Sequence, residues 1–365
     1  MRVMITGGGT GGHIYPALSI ADELRQRDPS VEIMYVGTER GLESKVVPKA
    51  GYTFRTIRVD YFKKKLTLEN VKRANKVIKG LNDANKLINE FVPDIIVGTG
   101  GYVCGPVVLM GNLKGVKTIV HEQNAIPGKT IKLLSVFVDK IFTSFEESHQ
   151  YFRQKKKLVY SGNPVRKEFG ALEKGQSREA INIGNDKKVI FSVGGSGGAA
   201  KVNEMMLELF KDDTLGHVEF HHVTGPRYYD EFKNRVEKLN LERDNVYVHD
   251  YLDNIGQYMS ASDVMISRSG ALTLTEIATM GVPSILIPSP NVAHNHQEYN
   301  AKVFEAKGAA VLLREKELDS NVMKHTVNQV ISDQEKLLRM SNRSKALSKM
   351  DATDIICDQI ESLIK

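Results

Sequence analysis

Short apolar runs recur through the first half of the chain. Each is followed by glycines or polar residues, and then by apolar positions at helical spacing. The first run, Val3-Met4-Ile5, leads to Ala17, Ile20, Ala21 and Leu24, which share one helix face. The pattern predicts strands over residues 2–6, 32–36 and 54–59, with helices over 16–27 and 41–50 between them. Strands over 94–97, 117–120, 140–143 and 158–160 continue it. Apolar strands alternating with helices make a parallel sheet covered on both faces. Glycine and proline in Ser161-Gly162-Asn163-Pro164-Val165-Arg166 break the pattern. It then restarts with strand 188–193, a glycine loop, a helix from Val202, and strands 219–223, 246–248, 264–266 and 284–287. The expected fold class is α/β, in two domains of like topology. Helix 352–364 carries Ile355, Ile356, Ile360 and Leu363 on one side and is expected to cross back onto the first domain.

Length agrees with this division, since 365 residues exceed one ordinary domain. Hydrophobic content of 41% and charged content of 26% fit a soluble globular chain rather than a disordered one. No run of eighteen apolar residues occurs, so no membrane-spanning helix is expected. Met1-Arg2 leads directly into a strand, which is not the pattern of a secretory signal. Cys104 and Cys357 lack metal-ligand spacing and fit a reducing compartment. A net charge of +6 permits an anionic ligand or surface without demanding nucleic acid.

Candidate chemistry begins at Thr6-Gly7-Gly8-Gly9-Thr10-Gly11-Gly12-His13-Ile14-Tyr15-Pro16. Between a strand and a helix, glycines let the backbone approach a ligand, while N–H groups and the helix dipole favour an anion. Gly7, Gly9 and Gly12 also fit the dinucleotide pattern GxGxxG, whose ribose-binding acid would be Glu39, slightly late in the chain. His13 stands where loop becomes helix. It is either a structural polar residue or a proton-transfer group beside an anion. Two further stretches follow later strands: Gly98-Thr99-Gly100-Gly101-Tyr102-Val103-Cys104-Gly105-Pro106 and His121-Glu122-Gln123-Asn124-Ala125-Ile126-Pro127-Gly128. Loops after parallel strands share one sheet edge, so Gly8, Gly101 and Asn124 are expected to converge. Glu122 either joins that site or only braces its loop.

Residues 61–87 are unusual. Lys63, Lys64, Lys65, Lys72, Arg73, Lys76, Lys79 and Lys86 stand against Glu69 and Asp83, with Tyr61, Phe62, Leu66 and Leu68 among them. Val71, Ala74, Ile78 and Leu81 then form a helical stripe. One reading is a loop and a surface helix whose stripe packs on the sheet. The other, over residues 61–76 (Tyr61 to Lys76), is an apolar tip ringed by lysines and resting on an anionic membrane surface.

In the second half, Gly194-Gly195-Ser196-Gly197-Gly198-Ala199-Ala200-Lys201 echoes the opening loop. Ser267-Arg268-Ser269-Gly270-Ala271-Leu272-Thr273-Leu274-Thr275-Glu276 reads as a loop entering a helix that ends at Gly281-Val282-Pro283. N–H groups at Ala271, Leu272 and Thr273 would face an anion. Glu276 would accept hydrogen bonds from a sugar diol, or simply favour the helix start. Asn295-His296-Gln297-Glu298-Tyr299-Asn300 offers polar groups for hydroxyls, and His294 with His296 lacks a third metal ligand. No Walker lysine pattern and no D-x-D triplet occur, which argues against an NTPase and against a metal-held sugar nucleotide.

The motifs Gly7-Gly-Gly-Thr-Gly-Gly-His13 with Tyr15-Pro16, Gly100-Gly-Tyr-Val103 with Gly105-Pro106, His121–Gly128, Gly162-Asn-Pro-Val-Arg166, Gly194-Gly-Ser196 and Arg268-Ser-Gly-Ala-Leu272 with Glu276 run in order through the chain. Together they resemble the MurG family of peptidoglycan glycosyltransferases. The resemblance implies a GT-B fold, two Rossmann-like domains with parallel sheets facing a central cleft. It implies that residues 1–163, completed by a helix over about 346–365, form an acceptor and membrane-associating domain, and 164–345 a UDP-GlcNAc donor domain. The implied reaction is inverting, metal-independent and cofactor-free. GlcNAc passes from UDP-GlcNAc to the C4 hydroxyl of MurNAc in undecaprenyl-pyrophosphoryl-MurNAc-pentapeptide (lipid I), giving lipid II and UDP. The implied location is peripheral, on the cytoplasmic face of the cell membrane, with cell-wall or division protein complexes as candidate partners and no nucleic acid.

The resemblance also implies roles. His13 is the general base. Thr10, Gly11, Gly12, Gly101 and Tyr102 hold the acceptor diphosphate. Asn124 and Gln297 meet GlcNAc, Arg166 and Ser196 lie near the donor diphosphate, and the Leu252 backbone reads uracil. Glu276 holds the ribose, and Arg268, Ala271, Leu272 and Thr273 complete the donor site. Gly197 stands where the family often has Gln, and Glu298 where some members carry a second Gln. Three other readings stand beside this one: a GT-B enzyme acting on another lipid such as diacylglycerol, a nucleotide-dependent oxidoreductase, and a non-catalytic sugar-nucleotide sensor.

Overall fold

A computed structural model describes residues 1–59 and 68–364, with the side chains of 68–76 left outside that description. The side chains of the expected apolar tip over 61–76 therefore lie outside that description. The chain forms two compact units, Met1–Arg166 with Lys349–Lys365, and Lys167–Ser348.

The first unit holds a parallel sheet of seven strands: β1 (Arg2–Gly7), β2 (Glu32–Gly37), β3 (Thr53–Thr56), β4 (Ile95–Gly100), β5 (Lys117–Glu122), β6 (Lys140–Thr143) and β7 (Leu158–Tyr160). Their order is β3-β2-β1-β4-β5-β6-β7. Side chains alternate between the faces, as strand geometry requires. Val3 and Ile5 pack with Ile20 and Leu24 of helix Gly11–Arg27, whereas Met4 packs with Ile96 and Val108 on the other side. Helix Ala352–Ile364 returns to the first face, where Ile356 and Ile360 are fully buried beside Ile20. Arg27 ties it down through Asp354 (3.0 Å) and Asp358 (2.6 Å).

The second unit holds six parallel strands: β8 (Lys188–Val193), β9 (Val218–Val223), β10 (Val246–His249), β11 (Val264–Ser267), β12 (Ser284–Leu286) and β13 (Ala310–Leu312). Their order is β10-β9-β8-β11-β12-β13. In each sheet the chain winds out to one edge and then starts again beside its first strand. The reversal falls between β1 and β4, and between β8 and β11. At such a reversal open α/β sheets bind ligands, in the crevice beyond the carboxyl ends of the strands.

Some expectations need correction. The first helix begins at Gly11, so Pro16 lies inside it. β3 stops at Thr56. β13 (Ala310–Leu312) was not anticipated. Of the expected stripe on helix Leu68–Phe91, Leu81 is half-buried. Ala84, Leu87 and Ile88 are buried, while Ile78 is 56% exposed. Gly80 is buried on the inner side. It rests against the 58–59 backbone, where a Cβ would lie 3.2 Å from Arg58 O. Among the described residues, no helix is long and apolar enough to cross a membrane.

Candidate active site

In the first unit the loops after β1 and β4 touch. Gly8 N donates to Gly100 O at 3.2 Å. Gly101 has φ +80°, and a Cβ there would lie 2.3 Å from Gly8 O. Only glycine meets both conditions. These glycines are thus required by loop-to-loop packing as well as by any ligand. Helix Gly11–Arg27 starts from Thr10 with no side-chain cap and no acid in its first turn, and helix Cys104–Leu113 starts from Val103 in the same way. By contrast, helices Ser320–Ile331 and Gln334–Lys345 are capped by Asp319 and Asp333. An uncapped start at the reversal point leaves first-turn N–H groups to an anion.

His13 lies in that first turn. Its Nδ1 is 3.0 Å from Thr99 O and 3.0 Å from Gln123 Oε1. The loop after β5 therefore joins the other two through Gln123, the neighbour of Asn124. Glu122 proves to be a brace. Its carboxylate accepts from Asn124 N (2.9 Å), Asn124 Nδ2 (3.1 Å) and Gly128 N (2.8 Å), and burial raises its pKa.

Sequence reading missed Glu43. It is fully buried beneath the first loop and accepts from Gly9 N (3.0 Å), Thr38 N (3.1 Å) and Thr38 Oγ1 (2.7 Å). Gly8 and Gly41 make room for it, since Cβ atoms there would fall 2.6 and 2.1 Å from its Oε1. Thr38 Oγ1 in turn lies 3.5 Å from the Tyr102 hydroxyl. The available signal was Gly41-Leu42-Glu43 after β2, which reads only as a turn into a helix.

In the second unit the loops after β8 and β11 leave adjacent strands, with Val193 opposite Ser267. Ser196 is exposed in the first of these loops. Gly198 has φ +72°, and a Cβ there would meet Thr224 O at 2.0 Å. Helix Ala200–Phe210 starts from Ala199 without a side-chain cap. Helix Ala271–Met280 starts from Gly270 in the same way, so Ala271, Leu272 and Thr273 open it, and Glu276 follows in its second turn, half-buried. Gln297, in the first turn of helix His296–Ala306, has its carboxamide oriented by Ser289 N, which donates to Oε1 at 2.8 Å. The approach to that helix is strained. His294 and Asn295 have φ of +55° and +53°, each a departure costing on the order of 1 kcal/mol or more.

Other candidates sit differently. The Arg268 guanidinium donates to Ile287 O (2.9 Å) and pairs with Glu315, so it braces the ends of β11 and β12. Leu252 is half-buried after the edge strand β10, and Arg166 is exposed where the chain leaves the first unit. Glu298 accepts from Arg314 Nε (2.9 Å), Asn295 Nδ2 (2.6 Å) and Lys302 Nζ (3.0 Å). These partners, Arg314 foremost, hold its pKa down to about 2. Its two oxygens serve the scaffold. Among the described residues no group of three His, Cys, Asp or Glu is placed to hold a metal ion.

The profile of the glycosyltransferase family 28 N-terminal domain matches residues 3–143, and that of the C-terminal domain matches residues 189–356. A UDP-N-acetylglucosamine--N-acetylmuramyl-(pentapeptide) pyrophosphoryl-undecaprenol N-acetylglucosamine transferase from Clostridioides difficile (strain 630) is 43% identical over 362 residues, 99% of this chain and 88% of its own. One of the same name from Alkaliphilus metalliredigens (strain QYMF) is 42% identical over 368 residues, covering 100% of both chains. Acinetobacter baumannii MurG has the same fold at a TM-score of 0.80 and 25% identity, over 99% of each chain. The chain belongs to the MurG family. Its two units are the Rossmann-like domains of a GT-B glycosyltransferase. The fold is shared more widely: an S. aureus MnaA-UDP co-structure, 13% identical, covers 99% of this chain and 96% of its own at a TM-score of 0.72. The N-terminal family profile spans all three loops around His13, and the C-terminal one runs from before Ser196 to beyond Gln297.

Proposed function

We propose that this enzyme transfers GlcNAc from UDP-GlcNAc to the MurNAc C4 hydroxyl of lipid I, with inversion and without a metal ion, producing lipid II and UDP for peptidoglycan. One observation carries the mechanism: His13 stands at an uncapped helix start where three loops of the first unit converge. The acceptor diphosphate binds the turn of Thr10, Gly11 and Gly12, with Gly101 and Tyr102 across from it. Its charge is met by N–H groups and the helix dipole. His13 takes the C4 hydroxyl proton as the oxygen attacks C1 of GlcNAc, a contribution of about 10²–10⁴ in rate.

The donor belongs to the second unit. Ser196 and the N–H groups of Ala271, Leu272 and Thr273 receive the charge that develops on departing UDP, and Arg166, the last residue of the first unit before the chain enters the second, adds a cation to it. Glu276 accepts from the ribose hydroxyls, and the Leu252 backbone reads uracil. Gln297 and Asn124 bind GlcNAc hydroxyls. Arg268 acts indirectly, by bracing the strand end from which helix Ala271–Met280 starts.

The enzyme works as a peripheral protein on the cytoplasmic face of the membrane. The basic segment 61–76 supports this, and so does a second patch in the first unit. Leu113, Leu133, Val136 and Phe137 are exposed. Asn112 Nδ2 donates to Phe137 O (3.0 Å) and Lys157 Nζ to Val136 O (3.1 Å), which sets a basic residue against the apolar ones. An apolar patch with lysines at its margin suits an anionic lipid surface.

The test is UDP release from UDP-GlcNAc, with and without a lipid I analogue, in the presence of EDTA. Release that requires the acceptor and survives EDTA is the expected result. Saturable UDP-GlcNAc binding with no release would point to a sensor, and release abolished by EDTA would overturn the metal-independent mechanism.

A further inference from the structure

The hydrogen bonds behind His13 run in one direction, and that direction selects the nitrogen that works. Thr99 O can only accept, so the Gln123 amide must turn its NH₂ toward it, with Nε2 to O at 2.7 Å. The same NH₂ lies 2.9 Å from His121 Nδ1. The carboxamide oxygen is thereby turned to His13 Nδ1 at 3.0 Å, where Thr99 O stands as a second acceptor, also at 3.0 Å. Two acceptors facing one ring nitrogen require a proton on it. His13 is therefore protonated at Nδ1, and its neutral ring carries the lone pair on Nε2.

His121 is held in the opposite form. Its Nδ1 accepts from Gln123, so its Nε2 bears the proton and donates to Gly162 O at 2.9 Å. Burial lowers its pKa to about 4, which keeps the ring neutral and Nδ1 an acceptor near neutral pH. The far end is rigid too. Gly162 has φ +84° and packs so closely on Lys349 that a Cβ would meet the Lys349 Cβ at 2.3 Å.

We infer that Gln123 and His121 are positioning residues for the transfer: with Thr99 O they lock His13 as its Nδ1–H tautomer and so make Nε2 the proton acceptor. This rests on the reading of His13 as the base. The step balances without the relay carrying a proton. The O–H bond of the acceptor C4 hydroxyl breaks and its proton passes to Nε2. The oxygen pair forms the bond to C1, and the C1–O bond to UDP breaks with its pair going to phosphate. Nδ1–H keeps both acceptors throughout, so nothing behind His13 has to move. The other tautomer would set a lone pair against two oxygens and leave N–H, not a base, toward the acceptor.

The experiment uses the full chain labelled with ¹⁵N-histidine, and reads imidazole nitrogen shifts at neutral pH. His13→Ala and His121→Asn assign the two rings. The expected spectrum shows His13 as Nδ1–H and His121 as Nε2–H, opposite tautomers in one molecule. His13 found as Nε2–H, or the two rings found in the same form, would overturn the inference. Gln123→Leu adds a kinetic readout. It is expected to lower kcat at least tenfold while the KM for UDP-GlcNAc stays within twofold, whereas unchanged kcat would overturn the positioning role. Turnover of His13→Ala separates the two levels. If that variant is inactive but the tautomer is wrong, the lock fails and the base stands. If it retains full turnover, the base assignment falls, and the positioning role falls with it.

Discussion

His13 draws on every loop of the first unit's site. It starts a helix after β1, touches the backbone at the end of β4, and bonds a side chain that follows β5. His13→Ala is expected to reduce turnover by about 10²–10⁴ while UDP binding, measured by titration calorimetry, stays near the parent value. Gly101→Ala should act differently. The left-handed φ and the 2.3 Å approach to Gly8 O leave no place for a methyl group. The variant should lose about 2 kcal/mol or more in urea unfolding of the first unit, and acceptor use should fall while donor binding persists. The glycine loop and His13 were legible because they lie within one short motif. Glu43 and Gln123 were not legible as contacts, because their partners Gly9 and His13 lie 34 and 110 residues away in the chain. No local pattern encodes such a meeting.

Strands and their helices were readable wherever a buried run was long enough to show its period. The return helix is the clearest case, because its apolar stripe had no partner nearby in sequence. Ile360→Ala should cost about 2–5 kcal/mol, since a fully buried side chain would leave a cavity against Ile20. In helix Leu68–Phe91 the expected stripe fails at Ile78, which is exposed, while Gly80 lies against the backbone of residue 58. At the start of helix His296–Ala306, Glu298 links Asn295, Lys302 and Arg314. Its folded-state pKa of about 2 is below the ordinary carboxylate value of about 4.3. Its contribution is then full above that ordinary value and is lost as pH falls through about 2. Glu298→Gln should accordingly lower Tm at pH 6, and the difference from the parent should shrink steadily between pH 4.5 and pH 2. A difference that is constant with pH would show that charge is not the source.

For the whole molecule, the restart of the strand–helix pattern after residue 166 was enough to announce two units, whereas the strand order in each sheet, and with it both reversal points, is set by which strands pair in space. Which unit binds which substrate was not in the physics of the pattern, since both carry glycine loops and uncapped helix starts. That assignment came from motif resemblance and remains a proposal with direct tests. Membrane attachment belongs to this scale as well. Each basic residue near an anionic surface contributes about 1 kcal/mol, so reversing Lys63, Lys64 and Lys65 to Glu should weaken binding to phosphatidylglycerol vesicles by at least tenfold at 0.1 M salt. Raising the salt to 1 M should shrink that difference, because screening removes the electrostatic part and leaves the apolar one.

In-line attack by an activated C4 hydroxyl inverts the anomeric centre of the donor sugar. The most direct measurement is the linkage of the product made from UDP-GlcNAc and a lipid I analogue, read by NMR from the anomeric coupling constant and the glycosylation shift at MurNAc. The donor is α-linked to UDP, so a β-linked GlcNAc on C4 is the predicted result. An α-linked product, attachment at another hydroxyl, or free GlcNAc with no disaccharide would rule out in-line attack by that hydroxyl.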